Sequence, residues 1–171
     1  MKSIAIVIPP DVVDLHQLQT CLDTWSGQFY VSVISTHTDT LTLEEVSQVL
    51  TPLLLGQIDE INFDGIAVLG GGGKVNSLWD HPPLTAKLQS FDAARKLVAG
   101  IGEGSMTLAQ AGLLLGKKAT INDDPSAIEG LRSYGAIYDP SDVVAIAWIV
   151  TGSGADVQQF ADTVAAFVAQ N

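Results

Sequence analysis

The chain has 171 residues, 47% of them apolar and 16% charged, and 8 Lys and Arg against 19 Asp and Glu give it a net charge of −11. That length and apolar content suit one domain over residues 1–171, compact and rich in Ala, Val, Leu and Gly, and exclude a disordered or coiled-coil chain. The charge argues against nucleic acid or an anionic membrane as partner, and a single cysteine, Cys21, excludes an internal disulfide or a cysteine-rich metal site.

Taken in order, residues 4–8 are a continuous apolar run, as in a strand covered on both faces of a parallel sheet. The short polar start before this run and Pro9-Pro10 after it make it a first strand, not a signal peptide, so a cytoplasmic location is expected. No apolar run approaches the ~20 residues that span a bilayer. Leu15, Leu18, Leu22 and Trp25 then share one helical face that Gly27 closes, and residues 30–35 read as a second strand. Thr42 and Glu45 have the spacing of a capping box ahead of Leu43, Val46, Val49 and Leu50, a short helix that Pro52 ends. Residues 53–61 suit strand or helix alike. Residues 65–69 are a strand that runs into Gly70–Gly73, and Pro82-Pro83 opens a helix with Leu84, Leu88 and Phe91 inward. Strands follow at 97–101, 118–121 and 145–150, with helices at 105–114 and 155–169. Strand and helix in alternation without repeats predict an α/β fold, a doubly wound, mostly parallel sheet with helices on both faces. In such sheets ligands bind beyond the carboxyl ends of the strands, where the glycine turns lie.

Three readings of those glycines compete. Gly70–Gly73 before Lys74 fails as a P-loop, because Val68 stands where the first glycine belongs and Val75 where Ser or Thr must follow the lysine. Gly100, Gly102 and Gly104 fail as a dinucleotide fingerprint, because Ser105 replaces the third glycine. The third reading joins Gly71 and Gly72 with the turn at Gly102, Glu103 and Gly104. Backbone amides and the positive end of a helix would then form an oxyanion-type pocket. Each glycine also reads as a tight turn and nothing more.

Residues 63–84 (FDGIAVLGGGGKVNSLWDHPPL), 95–120 (RKLVAGIGEGSMTLAQAGLLLGKKAT) and 149–168 (IVTGSGADVQQFADTVAAFV) resemble the DJ-1/PfpI superfamily of class I glutamine-amidotransferase-like proteins. The first turn, from Pro9 to Leu15, is similar as well. The resemblance covers nearly the whole chain, least over 36–62 and 122–144. It implies a flavodoxin-like sandwich, a homodimer, and a cysteine nucleophile on a tight elbow. By position, that cysteine falls at Gly102 and the following histidine at Glu103. A second histidine falls near Asn122, the acid that serves the cysteine at Asp14, and the oxyanion amides at Gly72 and Glu103. Thiolate chemistry cannot run without the thiolate. Departures at Gly102, Glu103 and Asn122 together fit natural divergence better than one replaced residue.

The same positions have plainer readings. Asp14 lies on the inward face with Leu18, Cys21 and Trp25, and serves equally as an N-cap, a place for which Asp11 competes. Glu103 sits where a helix dipole favours an anion, and Ser105 reads as a cap. Cys21 reads as a small buried residue, His16 as outward, His37 as part of a polar loop, and His81 as a helix-start residue that the resemblance puts near the pocket rim. Asp14 and Glu103 as neighbours would share a proton, raising one pKa. The leading expectation is a cytoplasmic, catalytically degenerate pseudoenzyme: a regulatory or small-molecule-binding protein whose pocket of Asp14, Gly71, Gly72, Gly102, Glu103 and Gly104, with Asn122 and His81 nearby, takes a small polar ligand. The alternatives are an inactivated amidase, protease or hydratase of the glyoxalase-like kind, and a structural homodimer without ligand. No cofactor or metal is implied.

Overall fold

A computed structural model of the chain describes residues 1–10, 13–36, 52–71 and 78–171. The predicted helix with its Thr42–Glu45 box, Gly72, Lys74, His37 and Asp11 all lie outside the described residues. The strands are β1 (Ser3–Val7), β2 (Tyr30–Ser35), β3 (Leu53–Leu54), β4 (Gly65–Val68), β5 (Leu97–Ile101), β6 (Lys118–Ala119), β7 (Ile137–Tyr138), β8 (Val143–Ile146) and β9 (Ile149–Gly152). The helices are α1 (Leu15–Trp25), α2 (Pro82–Ala93), α3 (Glu103–Gln110), α4 (Pro125–Ser133) and α5 (Val157–Gln170), with a short 3-10 turn at Leu55–Gln57.

Seven strands form one sheet in the order β3-β2-β1-β4-β5-β9-β8, parallel except for the β8–β9 pair, and β6 and β7 form a separate parallel pair. This is the doubly wound, mostly parallel sheet expected from the alternation of apolar runs and amphipathic segments. Successive residues of a strand face opposite sides. Ile4, Ile6 and Ile8 therefore pack under α1 and α5 with Leu18, Cys21, Trp25 and Phe160. Ala5 and Val7 pack under α2, α3 and α4 with Leu84, Leu88, Phe91 and Leu131. Trp25 ties the two helices of the first layer, its indole N–H donating to Ala161 O at 2.9 Å. The chain leaves β1 toward β2 on one side and returns to β4 on the other, so a crevice opens at the carboxyl ends of β1 and β4.

Several expectations needed correction. The strand read at 145–150 is a hairpin: Ile146 pairs with Ile149, and Ala147 and Trp148 make a two-residue turn between β8 and β9. Four apolar residues flanking that turn hid it. The helix read at 105–114 begins two residues earlier and ends at Gln110. The strand at 118–121 stops at Ala119. The ambiguous 53–61 resolves into β3 and the 3-10 turn. Within 122–144, α4 opens on Asp124 and Pro125, with the Asp124 carboxylate accepting from Ala127 N at 3.2 Å. An N-cap aspartate followed by proline at N1 is a helix-start signal that the sequence reading passed over.

Candidate functional site

The turn from β5 into α3 is built by its glycines. Gly102 has φ +56° and ψ −128°, a conformation that a side chain makes costly. Its N–H donates to Gly152 O at 2.9 Å and its carbonyl accepts from Ser105 N at 3.0 Å. A Cβ on Gly104 would run into Val68 O, so only glycine lets the first turn of α3 settle against β4. Ser105 is not the cap expected of it. Its buried hydroxyl donates to Gly100 O at 3.1 Å and to Gly152 O at 3.3 Å, fastening the elbow to β9.

Asp14 resolves as the N-cap of α1, accepting from Gln17 N at 3.0 Å, while its own N–H donates to Gly70 O at 3.0 Å. The cap does not remove it from the site, because its charge acts on Glu103. Glu103 opens α3, and its half-buried carboxylate folds back toward its own amide and that of Gly71, both of which favour its charged form. A Cβ on Gly70 would stand 2.5 Å from Glu103 Oε2, so the carboxylate lies directly over that glycine. Burial pushes the Glu103 carboxyl above its usual range, and the charge of Asp14 adds to the rise, against the two amides. Proximity to Asp14 was anticipated, but burial is the larger cause.

Gln17 is the residue the sequence reading missed. It is buried on α1, and its side-chain oxygen accepts from Gly70 N at 2.9 Å. A Cβ on Gly102 would stand 3.3 Å from its Nε2. Asp14, Gln17, Gly70, Gly71, Gly102 and Glu103 are thus brought together at the crevice.

On the far side of Glu103 a cleft of about 580 Å³ opens between α3 and α4, walled by Trp79, Met106, Gln110, Asn122, Asp124 and Tyr134 among others. The Trp79 indole N–H donates to Glu103 O at 3.3 Å. Asn122 lines the cleft, and its buried Oδ1 has no hydrogen-bond partner among the described residues. His81 caps α2, Nδ1 accepting from Leu84 N at 3.2 Å, and is not part of the cleft wall. Cys21 is fully buried against the sheet, where burial pushes its thiol up, so it is no relocated nucleophile. His16 is exposed on α1. Among the described residues no group of three or more His, Cys, Asp and Glu could hold a metal ion, and no helix is long and apolar enough to cross a membrane.

A doubly wound sheet with a glycine elbow at the end of β5 defines a class of flavodoxin-like α/β proteins with their sites at the strand ends. Within that class the chain belongs to the DJ-1/PfpI family, whose model matches residues 2–166. An uncharacterised protein of Methanocaldococcus jannaschii is 28% identical over 155 residues, covering 91% of this chain and 76% of that one. The crystal structure of a ThiJ/PfpI domain protein from Brachyspira murdochii superposes with a TM-score of 0.88 at 23% identity, covering 99% of this chain and 97% of that one. Drosophila melanogaster DJ-1beta superposes with a TM-score of 0.84 at 22% identity, covering 99% and 91%. These structural likenesses concern the fold.

Proposed function

We propose that this family member is a small-molecule-binding pseudoenzyme and not a cysteine hydrolase, with Gly102 in the place of the nucleophile. The observation that carries this reading is the half-buried Glu103 carboxylate lying over Gly70 at the elbow, beside the amides of Gly71 and Glu103. An oxyanion forming at such an elbow needs free N–H donors. Here the Glu103 carboxylate stands beside its own amide, one of the two donors that the resemblance assigns, and Asp14 adds a second negative charge. The ligand site is the adjoining cleft, entered between α3 and α4. A cytoplasmic homodimer is part of the proposal; sedimentation at equilibrium tests the oligomer.

Replacing Gly102 with Cys separates this reading from that of an enzyme inactivated only by loss of its thiol. A thiolate flanked by two carboxylates is disfavoured, so the introduced thiol should titrate at or above about 8.5. The variant should turn over neither dicarbonyls nor isonitriles. Alkylation rate against pH measures the pKa, with the wild type as blank because Cys21 is buried. A depressed pKa together with turnover would overturn the proposal.

A further inference from the structure

We propose that the cleft between α3 and α4 takes a small organic cation, an amine or amidine carried on an apolar body; this rests on the reading of the cleft as a ligand site. Two helix N-termini open on the cleft, and bare helix N-termini attract anions. Here each brings its own carboxylate. Glu103 stands in the first turn of α3, and Asp124 caps α4 by accepting from Ala127 N. A helix end carries roughly half a positive charge, so a full carboxylate on it leaves a net negative end.

Around these two acids the described lining contains no Lys, Arg or His. Asp14, from the cap of α1, adds a third negative group behind Glu103. Among the described residues the Glu103 side chain also lies over Gly70 and beside the amides of Gly71 and Glu103, with the Trp79 indole held to its carbonyl.

The remaining walls suit the same guest. Trp79 and Tyr134 present aromatic rings and Met106 a thioether, surfaces that favour a cation with an apolar body. Asn122 also stands in the wall, its buried oxygen without a hydrogen-bond partner among the described residues. An anion would meet two carboxylates, with no charge to answer its own. An amidinium offers several N–H donors to those two carboxylates, and a carboxylate–amidinium contact is the stronger, charge-assisted kind.

The test uses three ligands of nearly equal shape, differing in charge: benzamidine, benzamide and benzoate. Each is titrated into the full chain at pH 8 by calorimetry. Benzamidine should bind, with a dissociation constant on the order of 1 mM or lower, and benzoate and benzamide at least about tenfold more weakly. Its affinity should fall as pH drops and Glu103 takes up a proton. Glu103→Gln should weaken benzamidine about tenfold and flatten that pH dependence. Asp124→Asn, which keeps a capping side chain, should weaken it less while leaving the fold intact by circular dichroism. Equal or tighter binding of benzoate or benzamide would overturn the cation assignment and leave the ligand-site reading standing. Undiminished benzamidine binding by Glu103→Gln would likewise overturn it. If none of the three binds at about 10 mM, the cation assignment falls, and a thermal-shift panel of unrelated small molecules then decides whether the ligand-site reading falls with it.

Discussion

Glu103 holds two positions at once: its amide begins α3, and its carboxylate folds back over Gly70, beside that amide and the amide of Gly71. Burial and Asp14 together raise its pKa in the folded chain above the value of 4.5 expected of a free glutamate. A carboxyl whose pKa rises on folding binds its proton more tightly in the native state, so its ionisation opposes folding. The penalty is complete above the folded pKa and absent below the unfolded one. Glu103→Gln should therefore raise the unfolding temperature at pH 8, with the gain shrinking as pH falls toward 4.5. Thermal melts of the two proteins across that range check it, and a gain that grows toward acid would contradict the assignment. Gln17 shows what the sequence left unread at this scale. Asp14 and Cys21 read as inward residues, and position 17 lies on the same face, three residues from one and four from the other. A polar residue between two inward positions was the available signal, but nothing local says that its partner is the N–H of Gly70, 53 residues away.

At the scale of elements, the best-read pieces are those whose pattern is local and whose ends carry their own chemistry. β1, α1, β2, α2 and β5 follow from apolar runs, helical periodicity, proline at a helix start and the elbow glycines. The β8–β9 hairpin did not, because its turn lacks glycine. Ala147 sits at φ +54° in the two-residue turn, where glycine is the usual first central residue of such a hairpin. Trp148 holds the turn in place, its indole N–H donating to Asp92 Oδ1 at 2.7 Å and its carbonyl accepting from Val98 N at 3.0 Å. That anchoring on α2 and β5 is tertiary and leaves no mark on residues 145–150 themselves. Positive φ costs a side-chain-bearing residue roughly 1–3 kcal/mol, against about 0.5–1 kcal/mol of extra chain entropy lost by glycine. Ala147 is exposed, so little packing is at stake. Ala147→Gly should stabilise the protein by about 1 kcal/mol in urea titration. A loss of stability would mean that the turn is not strained as its φ indicates. α4 is the costlier omission, since it forms one wall of the cleft: the fold was legible without it, but the cleft was not.

Across the whole molecule, one sheet separates two cores that the same strands supply alternately, and the site lies where both layers meet its carboxyl edge. α1 brings Asp14 and Gln17 from one layer, α3 brings Glu103 from the other, and the glycine turns after β4 and β5 let them approach. The position of the elbow is therefore only as fixed as the seat of α1 on the sheet. Cys21 reports on that seat. It lies mid-helix and fully buried with Leu18 and Trp25 against Ile4 and Ile6, and burial raises its thiol pKa. A thiol so placed reacts only when the helix lifts or the chain unfolds. Trp25 anchors α1 to α5 at Ala161, and α5 in turn covers β5 and β9, so the layer should open as a unit. Reaction of Cys21 with an aromatic disulfide reagent should be negligible in the native protein and should rise along urea in step with far-UV circular dichroism. Reaction well before that transition would show α1 parting from the sheet on its own, and Asp14 and Gln17 would then belong to a mobile wall and not to a fixed one.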